Sequence, residues 1–157
     1  MNPTNPISII KSDHDLVKSE FDAYKSYNNY EDKKKEAEKI CENLAIHMDM
    51  EEQYFYPEIS DVSDEGNDLT DEAMKEHNEV KMHIKEAGMA EDEAELDKHV
   101  TMMEKEVLHH VEEEETKIFS FAEENLKDGF GKLAAEMMGY KTKAKAEELI
   151  NDIKEKF

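Results

Sequence analysis

The sequence predicts an all-α protein: an up-down-up-down four-helix bundle with a short C-terminal helical extension. Apolar residues recur at three- and four-residue steps along four long segments, which is the spacing of one face of an α-helix. Short polar connections separate these segments, and short connections favour antiparallel neighbours. We therefore expect a single domain over residues 1–157, with the bundle at about 8–126 and the tail at about 130–157.

Composition narrows the classes of function. The chain has 157 residues and a formal net charge of -21, which disfavours nucleic acid and anionic membranes as partners because their phosphates would be repelled. The 38% of hydrophobic residues, regularly spaced, favours a folded chain over a disordered one. A single cysteine, Cys41, and the lack of a signal-peptide or membrane-spanning pattern predict a soluble cytoplasmic protein, a monomer or weak homo-oligomer.

The first two helices each carry one histidine on their apolar face. Pro3 and Pro6 should keep the first residues extended, so Ser8 is the expected N-cap of a helix that ends near residue 27. The second helix should run from about 31 to 59, with Pro57 breaking or tightening its last turn. The inner faces read Ile10, His14, Val17, Phe21 and Tyr24, then Ala37, Ile40, Leu44, His47 and Glu51.

The next two helices repeat this arrangement after a predicted loop at residues 61–68. Thr70 is the expected N-cap of the third helix and Gly88 its end, and the fourth should run from about 91 to 125. Their inner faces read Ala73, His77, Val80, Ile84 and Ala87, then Leu96, Val100, Met103, Val107, His110, Glu114, Ile118 and Phe121. In the tail, the face formed by Leu149, Ile153 and Phe157 is expected either to dock on the bundle or to bind a partner or second copy.

An internal repeat marks the candidate site. The segment from His47 to Glu51 and the segment from His110 to Glu114 both read His-x3-Glu, followed by a second Glu and a short apolar cluster. Residues four apart lie on the same face of a helix. Each copy therefore offers one imidazole and one carboxylate that point the same way.

Two further histidines complete a metal-binding set. A lone histidine on an apolar face is usually a core residue held by a neighbour, but here all four helices place one near the same end of the bundle. Burying ionised glutamates among them without compensation would cost several kcal/mol each. A pair of cations provides that compensation. The sequence therefore predicts a dinuclear metal site formed by His14, His47, Glu51, His77, His110 and Glu114.

This pattern resembles the hemerythrin-like (HHE cation-binding) family over residues from about 8 to 126. The resemblance implies a non-haem di-iron centre in which Glu51 and Glu114 bridge two Fe ions, completed by an oxo or hydroxo group. One ion would take His14 and His47, and the other His77 and His110. Carboxylate and imidazole ligands suit iron, and Mn or Zn remains compatible with the ligand types.

One position departs from the oxygen-carrying members of that family. Lys81 stands where they have a fifth histidine, one turn after His77, so one ion would have an additional open position. Water, a small ligand or a protein ligand not evident in the sequence could fill it. Lys81 is expected either to extend its ammonium into solvent or to donate to a bridging glutamate or bound anion. Tyr54 is expected either to gate the site or to donate a hydrogen bond within it.

Three other histidines are assigned outside this site. His83 and His109 are expected at the surface, because they lie off the inner faces of their helices. His99 shares the face of His110 but lies about three turns away, and a further metal site there is a less favoured alternative.

Two functions are consistent with a di-iron centre. A bundle without an attached output domain favours reversible binding or sensing of O2 or NO. Lys81 in place of a histidine favours instead a redox enzyme for peroxide removal, NO reduction or iron oxidation. Iron donation for iron–sulfur repair, found in some members of the family, is disfavoured because no cysteine-bearing domain precedes the first helix in this sequence.

Overall fold

A computed structural model describes the backbone of residues 1–156 and the side chains of residues 1–151. Within this range the chain forms helices and no strand. The helices are α1 Pro6–Ser26, α2 Tyr30–Met50, α3 Tyr56–Ser60, α4 Asp64–Gly88, α5 Glu93–Glu113, α6 Phe119–Asn125 and α7 Phe130–Lys156. A π-helical turn, Glu51–Phe55, joins α2 to α3, and a second, Glu114–Ile118, joins α5 to α6. We refer to these continuous helices as the α2–α3 rod and the α5–α6 rod.

The four-helix bundle consists of α1, the α2–α3 rod, α4 and the α5–α6 rod. Chain neighbours pack against each other, α1 on α2, α3 on α4 and α4 on α5, and their connections span only residues 27–29, 61–63 and 89–92. The predicted all-α bundle is confirmed. Within the described residues, no helix is long and apolar enough to cross a membrane.

Two predicted N-caps are wrong, and both helices begin earlier. Asn5 caps α1 by accepting a hydrogen bond from the Ile7 N–H at 2.9 Å, and Pro6 is the first helical residue. Proline is well placed there, because the first N–H of a helix has no intrahelical partner. Ser8 lies inside α1. Ser63 caps α4, whereas Thr70 lies inside it and donates to the Asn67 carbonyl at 3.0 Å.

The start of α4 crosses α3 at very short range. A Cβ added at Gly66 would lie 2.1 Å from the carbonyl oxygen of Ile59 and 3.0 Å from the ring of Phe121. The predicted loop at 61–68 therefore contracts to 61–63, because only glycine allows the two backbones to meet so closely here.

The core consists of two apolar clusters. One lies at the end formed by α3, α6 and the first half of α7, and includes Ile9, Met50, Phe55, Ile59 and Phe121. The other fills the opposite half of the bundle, toward the connections at 27–29 and 89–92, and includes Val17, Phe21, Leu44, Val80, Val100 and Val107. Along every bundle helix, the predicted site residues fall at the boundary between the two clusters.

The tail is a single 27-residue helix rather than a short one. It docks on the bundle through its first half, where Phe130, Leu133, Ala134 and Met137 are buried. The predicted docking face is wrong at Leu149, which is 61% exposed. Its other two members, Ile153 and Phe157, lie outside the described side chains.

Candidate metal centre

The six predicted residues meet in one buried layer that crosses all four members of the bundle. Both glutamates are completely excluded from solvent, and no imidazole is more than 7% exposed. The exposed fractions are His14 2%, His47 7%, Glu51 0%, His77 0%, His110 5% and Glu114 0%. Such burial is unusual for six polar side chains and requires a specific set of partners.

Glu51 lies between imidazoles from three helices. Its Oε1 atom is 3.1 Å from Nε2 of His47, on the same rod, and 3.2 Å from Nε2 of His77 on α4. The Nε2 atom of His110 is 3.9 Å away. One carboxylate therefore contacts histidines of both predicted pairs.

Glu114 spans the layer in the same way from the α5–α6 rod. Its Oε1 atom is 3.1 Å from Nε2 of His14, and its Oε2 atom is 3.4 Å from Nε2 of His110. The ligand atoms form two overlapping groups, in each of which all atoms lie within 4.8 Å of one another. The groups are His14, His47, Glu51 and Glu114, and Glu51, His77 and His110.

Five donor atoms of this layer lack the partners that buried polar atoms need. Among the described residues, no hydrogen bond reaches His14 Nε2, His47 Nε2, Glu114 Oε1 or either carboxylate oxygen of Glu51. An unsatisfied buried polar atom costs about 1–3 kcal/mol. Atoms that approach within about 3 Å without hydrogen bonding are arranged as ligands of one ion are. Imidazole nitrogen and carboxylate oxygen are donors for Fe, Mn and Zn, so the residues present fit two such ions.

A second carboxylate holds each imidazole from behind. The four contacts, all to Nδ1, are Asp13 to His47 at 2.8 Å, Glu52 to His77 at 2.8 Å, Glu76 to His110 at 2.8 Å and Glu115 to His14 at 2.7 Å. An imidazole that donates its Nδ1–H to a carboxylate presents the lone pair of Nε2 to a metal. The orientation of all four rings therefore favours metal binding through Nε2.

These outer carboxylates connect the bundle in a closed ring. Asp13 on α1 contacts the α2–α3 rod, and Glu52 of that rod contacts α4. Glu76 on α4 contacts the α5–α6 rod, and Glu115 of that rod contacts α1. Sequence reasoning missed all four residues. The signal was present, because each directly follows one of the two predicted glutamates or directly precedes a predicted histidine, as in Asp13-His14.

The two π-helical turns begin at Glu51 and at Glu114. The Tyr56 N–H pairs with the Glu51 carbonyl, and the Phe119 N–H pairs with the Glu114 carbonyl, five residues back instead of four. The fifth residue after each glutamate is thereby brought over the site. The prediction that the chain breaks or tightens at Pro57 is wrong, because the preceding turn widens instead.

The first π turn places Tyr56 in the site. Its hydroxyl donates a hydrogen bond to Glu114, and the oxygen lies 3.2 Å from Nε2 of His77 and 3.3 Å from Nε2 of His110. No sequence signal identified it, because regular helical spacing points to positions three or four after Glu51. The Tyr56 oxygen is therefore a further candidate ligand atom in this layer.

The other aromatic residues near the site have apolar roles. Tyr54, the tyrosine predicted from the sequence, packs against Tyr140 with ring centroids 5.7 Å apart. The counterpart of Tyr56 in the α5–α6 rod is Phe119, which stacks on His14 at 6.2 Å and 10°. The site is therefore asymmetric, with a phenol on one side and a phenyl ring on the other.

Basic residues contact the outer carboxylates. Lys81, 46% exposed at its side chain, binds Glu52 with Nζ–oxygen distances of 2.9 and 3.0 Å. The Lys81 ammonium is partly exposed to solvent, and the carboxylate that it binds is the one that holds His77 rather than Glu51 or Glu114. Lys141 of α7 pairs with Asp13 in the same way.

Charge in this layer is strongly coupled. Burial alone would lower the pKa of His47, but the carboxylates of Glu51 and Asp13 outweigh it and raise the pKa to about 10. Burial opposes the charge of Glu51 too, yet the surrounding imidazoles hold its pKa well below the usual value. Burial and the charges of Glu114 and Glu51 raise the pKa of Tyr56, which keeps its proton. The buried carboxylates thus require positive charge beside them, which protons or metal ions can supply.

A cavity of about 70 Å³ adjoins the four imidazoles, on the side of the second apolar cluster that includes Val17, Leu44 and Val80. A cavity of about 10–15 Å³ is enough for a single water molecule, so a diatomic molecule fits in this one. The inner wall is apolar, and the outer part is lined by Asn43, Lys141 and Lys145. The apolar residues of the wall are Leu16, Val17, Leu44, Ile46, Met48, Val80, Val107 and Val111.

Comparisons with known proteins agree with this architecture. Residues 5–122 match the family described as the hemerythrin HHE cation-binding domain. Among solved structures, the chain is similar to a hemerythrin HHE cation-binding domain-containing protein from Mycobacterium kansasii, with a TM-score of 0.81 and 18% identity. That alignment covers 96% of this chain and 91% of the other. No curated protein matches the sequence. Because the family match spans most of the chain, the protein belongs to the hemerythrin HHE cation-binding domain family.

Proposed function

We propose that this protein is a non-haem di-iron protein that binds or senses O2 or NO. The observation that carries the proposal is the position of the two buried glutamates, each of which contacts histidines from both pairs. A carboxylate so placed can bridge two ions. Iron, when bound there, would supply a redox-active pair that takes up a diatomic ligand.

The chain offers different ligands to the two ions. His14 and His47 would hold one, while His77, His110 and the hydroxyl of Tyr56 would hold the other. The second ion would thereby gain a phenol oxygen in the position where Lys81 leaves no histidine. The open position would then belong to the ion beside Phe119, whose phenyl ring has no donor atom.

The cavity supports a small neutral ligand. Half of its lining residues are apolar and its volume suits a diatomic molecule, while the charged residues of the lining besides the imidazoles are Asp13, Lys141 and Lys145. Lys141 and Lys145 at its outer part pair with Asp13 and Asn43. These contacts connect α7 to α1 and α2 beside the cavity.

A redox enzyme for peroxide removal, NO reduction or iron oxidation is the second candidate. The observation in its favour is the Tyr56 hydroxyl, a protonated donor that lies 3.2 Å from Nε2 of His77 beside the candidate ions. A positioned proton donor contributes typically about 10²–10⁴-fold to such reactions. The two candidate functions therefore differ in the role of the Tyr56 phenol, which would be a metal ligand in the binding protein and a proton donor in the enzyme.

Exposure of the reduced, iron-loaded protein to O2 and to peroxide separates them. For a binding or sensing protein, the visible spectrum should change on adding O2 and return when O2 is removed, without consumption of peroxide. The Tyr56→Phe variant should keep both irons, because the four histidines and two glutamates remain. Irreversible oxidation with sustained peroxide turnover, lowered at least about tenfold in Tyr56→Phe, would favour the enzyme and refute reversible binding.

A further inference from the structure

Away from the buried layer, α4 and α5 bring a second group of metal-binding side chains together. We infer that His83, Glu86 and His99 form a half-exposed site for one divalent transition-metal ion, separate from the dinuclear centre. His83 and Glu86 are three residues apart on α4 and share one face, and His99 faces them from α5. One ligand atom of each lies within 4.8 Å of the others.

Two ligand atoms of this group lack a hydrogen-bond partner, as do five atoms of the inner layer. The Nδ1 atoms of His83 and His99 are both buried and have no hydrogen-bond partner among the described residues. His99 Nδ1 lies 2.9 Å from Glu86 Oε2 without forming a hydrogen bond. A simple ion pair between Glu86 and His99 would account for that distance but would leave Nδ1 of His83 without a role. A shared cation accounts for all three atoms.

The donor set indicates the class of ion. Two imidazoles and one carboxylate suit Zn²⁺, Fe²⁺, Mn²⁺ or Co²⁺, whereas Mg²⁺ and Ca²⁺ prefer sites made wholly of oxygen. Bonds of about 2.0–2.2 Å require ligand atoms about 3–4 Å apart, which small rotations of half-exposed side chains can achieve. Three protein ligands leave at least one position for water, so the ion should exchange readily.

The site is too far from the inner layer to belong to it. His99 and His110 are eleven residues apart on α5, which corresponds to about 16 Å along the helix. The formal net charge of -21 also raises the local concentration of cations around the half-exposed group. Occupancy of this site is therefore independent of the inner centre, and the inference does not depend on the function proposed above.

Zn²⁺ titration of protein whose inner centre is already loaded provides the test. Wild type should bind one additional equivalent, and His83→Gln, His99→Gln and Glu86→Gln should each weaken that binding at least about tenfold. His109→Gln controls for loss of an exposed histidine, and Glu91→Gln controls for loss of an exposed carboxylate near Glu86. Both controls should bind the additional ion as wild type does.

Binding of Co²⁺ provides a second readout that does not depend on folding stability. The wild-type spectrum should contain a ligand-field component that disappears in the His83→Gln/His99→Gln double variant, while circular dichroism and inner-centre metal content stay unchanged. Equal stoichiometry and affinity in wild type and this double variant would overturn the inference. A protein that lacks inner metal but retains the additional ion would refute the inner centre alone.

Discussion

At each of the four site histidines, one ring nitrogen faces the buried layer and the other donates to a carboxylate. The Nε2 atoms that face the layer determine which ions can bind. The outer carboxylates determine whether the imidazole rings are already oriented before an ion binds. Loss of such an outer partner typically costs about 10–100-fold in metal affinity. The residues of the outer ring should therefore matter almost as much as the ligands.

Asp13→Ala tests one member of this ring. Asp13 contacts both His47 and Lys141, so its removal should lower metal affinity about 10–100-fold while the helices remain formed. Competition with a chelator measures the affinity. Asp15→Ala, an exposed carboxylate two residues further along α1, is the matched control. Equal affinities in the two variants would show that the outer carboxylate does not orient the ring.

The elevated pKa of His47 predicts how the metal-free protein responds to pH. A folded-state pKa of about 10, above the unfolded value of 6.5, means that the stabilisation is complete below pH 6.5 and declines as pH rises toward 10. Urea unfolding in the presence of chelator should therefore give a falling free energy of unfolding between pH 6.5 and 9. The slope should be shallower in His47→Gln, and identical slopes would contradict the assignment.

At the scale of the helices, the sequence predicted the bundle and the six site residues because both depend on regular helical spacing. Features that break that spacing could not be predicted. Tyr56 enters the site only because a π turn widens the helix. Backbone pairing between residues five apart cannot be recognised in a sequence pattern of apolar residues three and four apart. The early starts of α1 and α4 were missed because several Asn and Ser residues competed as caps.

Gly66→Ala tests the close crossing of α3 and α4. The added Cβ would lie 2.1 Å from the Ile59 carbonyl oxygen, a backbone atom that cannot rotate away, so we expect a loss of about 1–3 kcal/mol in unfolding free energy. Gly139→Ala is the control, since Gly139 lies in the interior of α7 and nothing is within 4 Å of its Cβ position. There alanine should stabilise α7 by about 0.5–1 kcal/mol. Equal effects in denaturant unfolding would contradict the crossing.

Across the whole molecule, the proposed ions and the fold depend on each other. The ligands come from all four members of the bundle, and Lys141 of α7, beyond the residues that match the family, contacts the outer ring at Asp13. Where buried ligands are assembled only by folding, metal-binding free energy becomes folding free energy. The layer that would hold the ions thus also holds the helices together.

Removal of metal should therefore destabilise the entire chain. We expect chelation to lower the midpoint of thermal unfolding by about 10 °C, followed by circular dichroism, because each kcal/mol corresponds to about 2–4 °C at this size. Re-addition of Fe²⁺ under anaerobic conditions should restore the midpoint. An unchanged midpoint would mean that the buried residues do not bind the metal that the chelator removes.

The central claim is that the six buried residues bind two metal ions, and metal analysis of purified protein tests it most directly. After weakly bound ions are removed, wild type should contain about two Fe per chain, and His47→Ala should contain markedly less. Ile40→Ala, a buried apolar substitution on the same helix, should lose stability but retain both ions. Fewer than two ions in wild type, with no further loss in His47→Ala, would contradict the account.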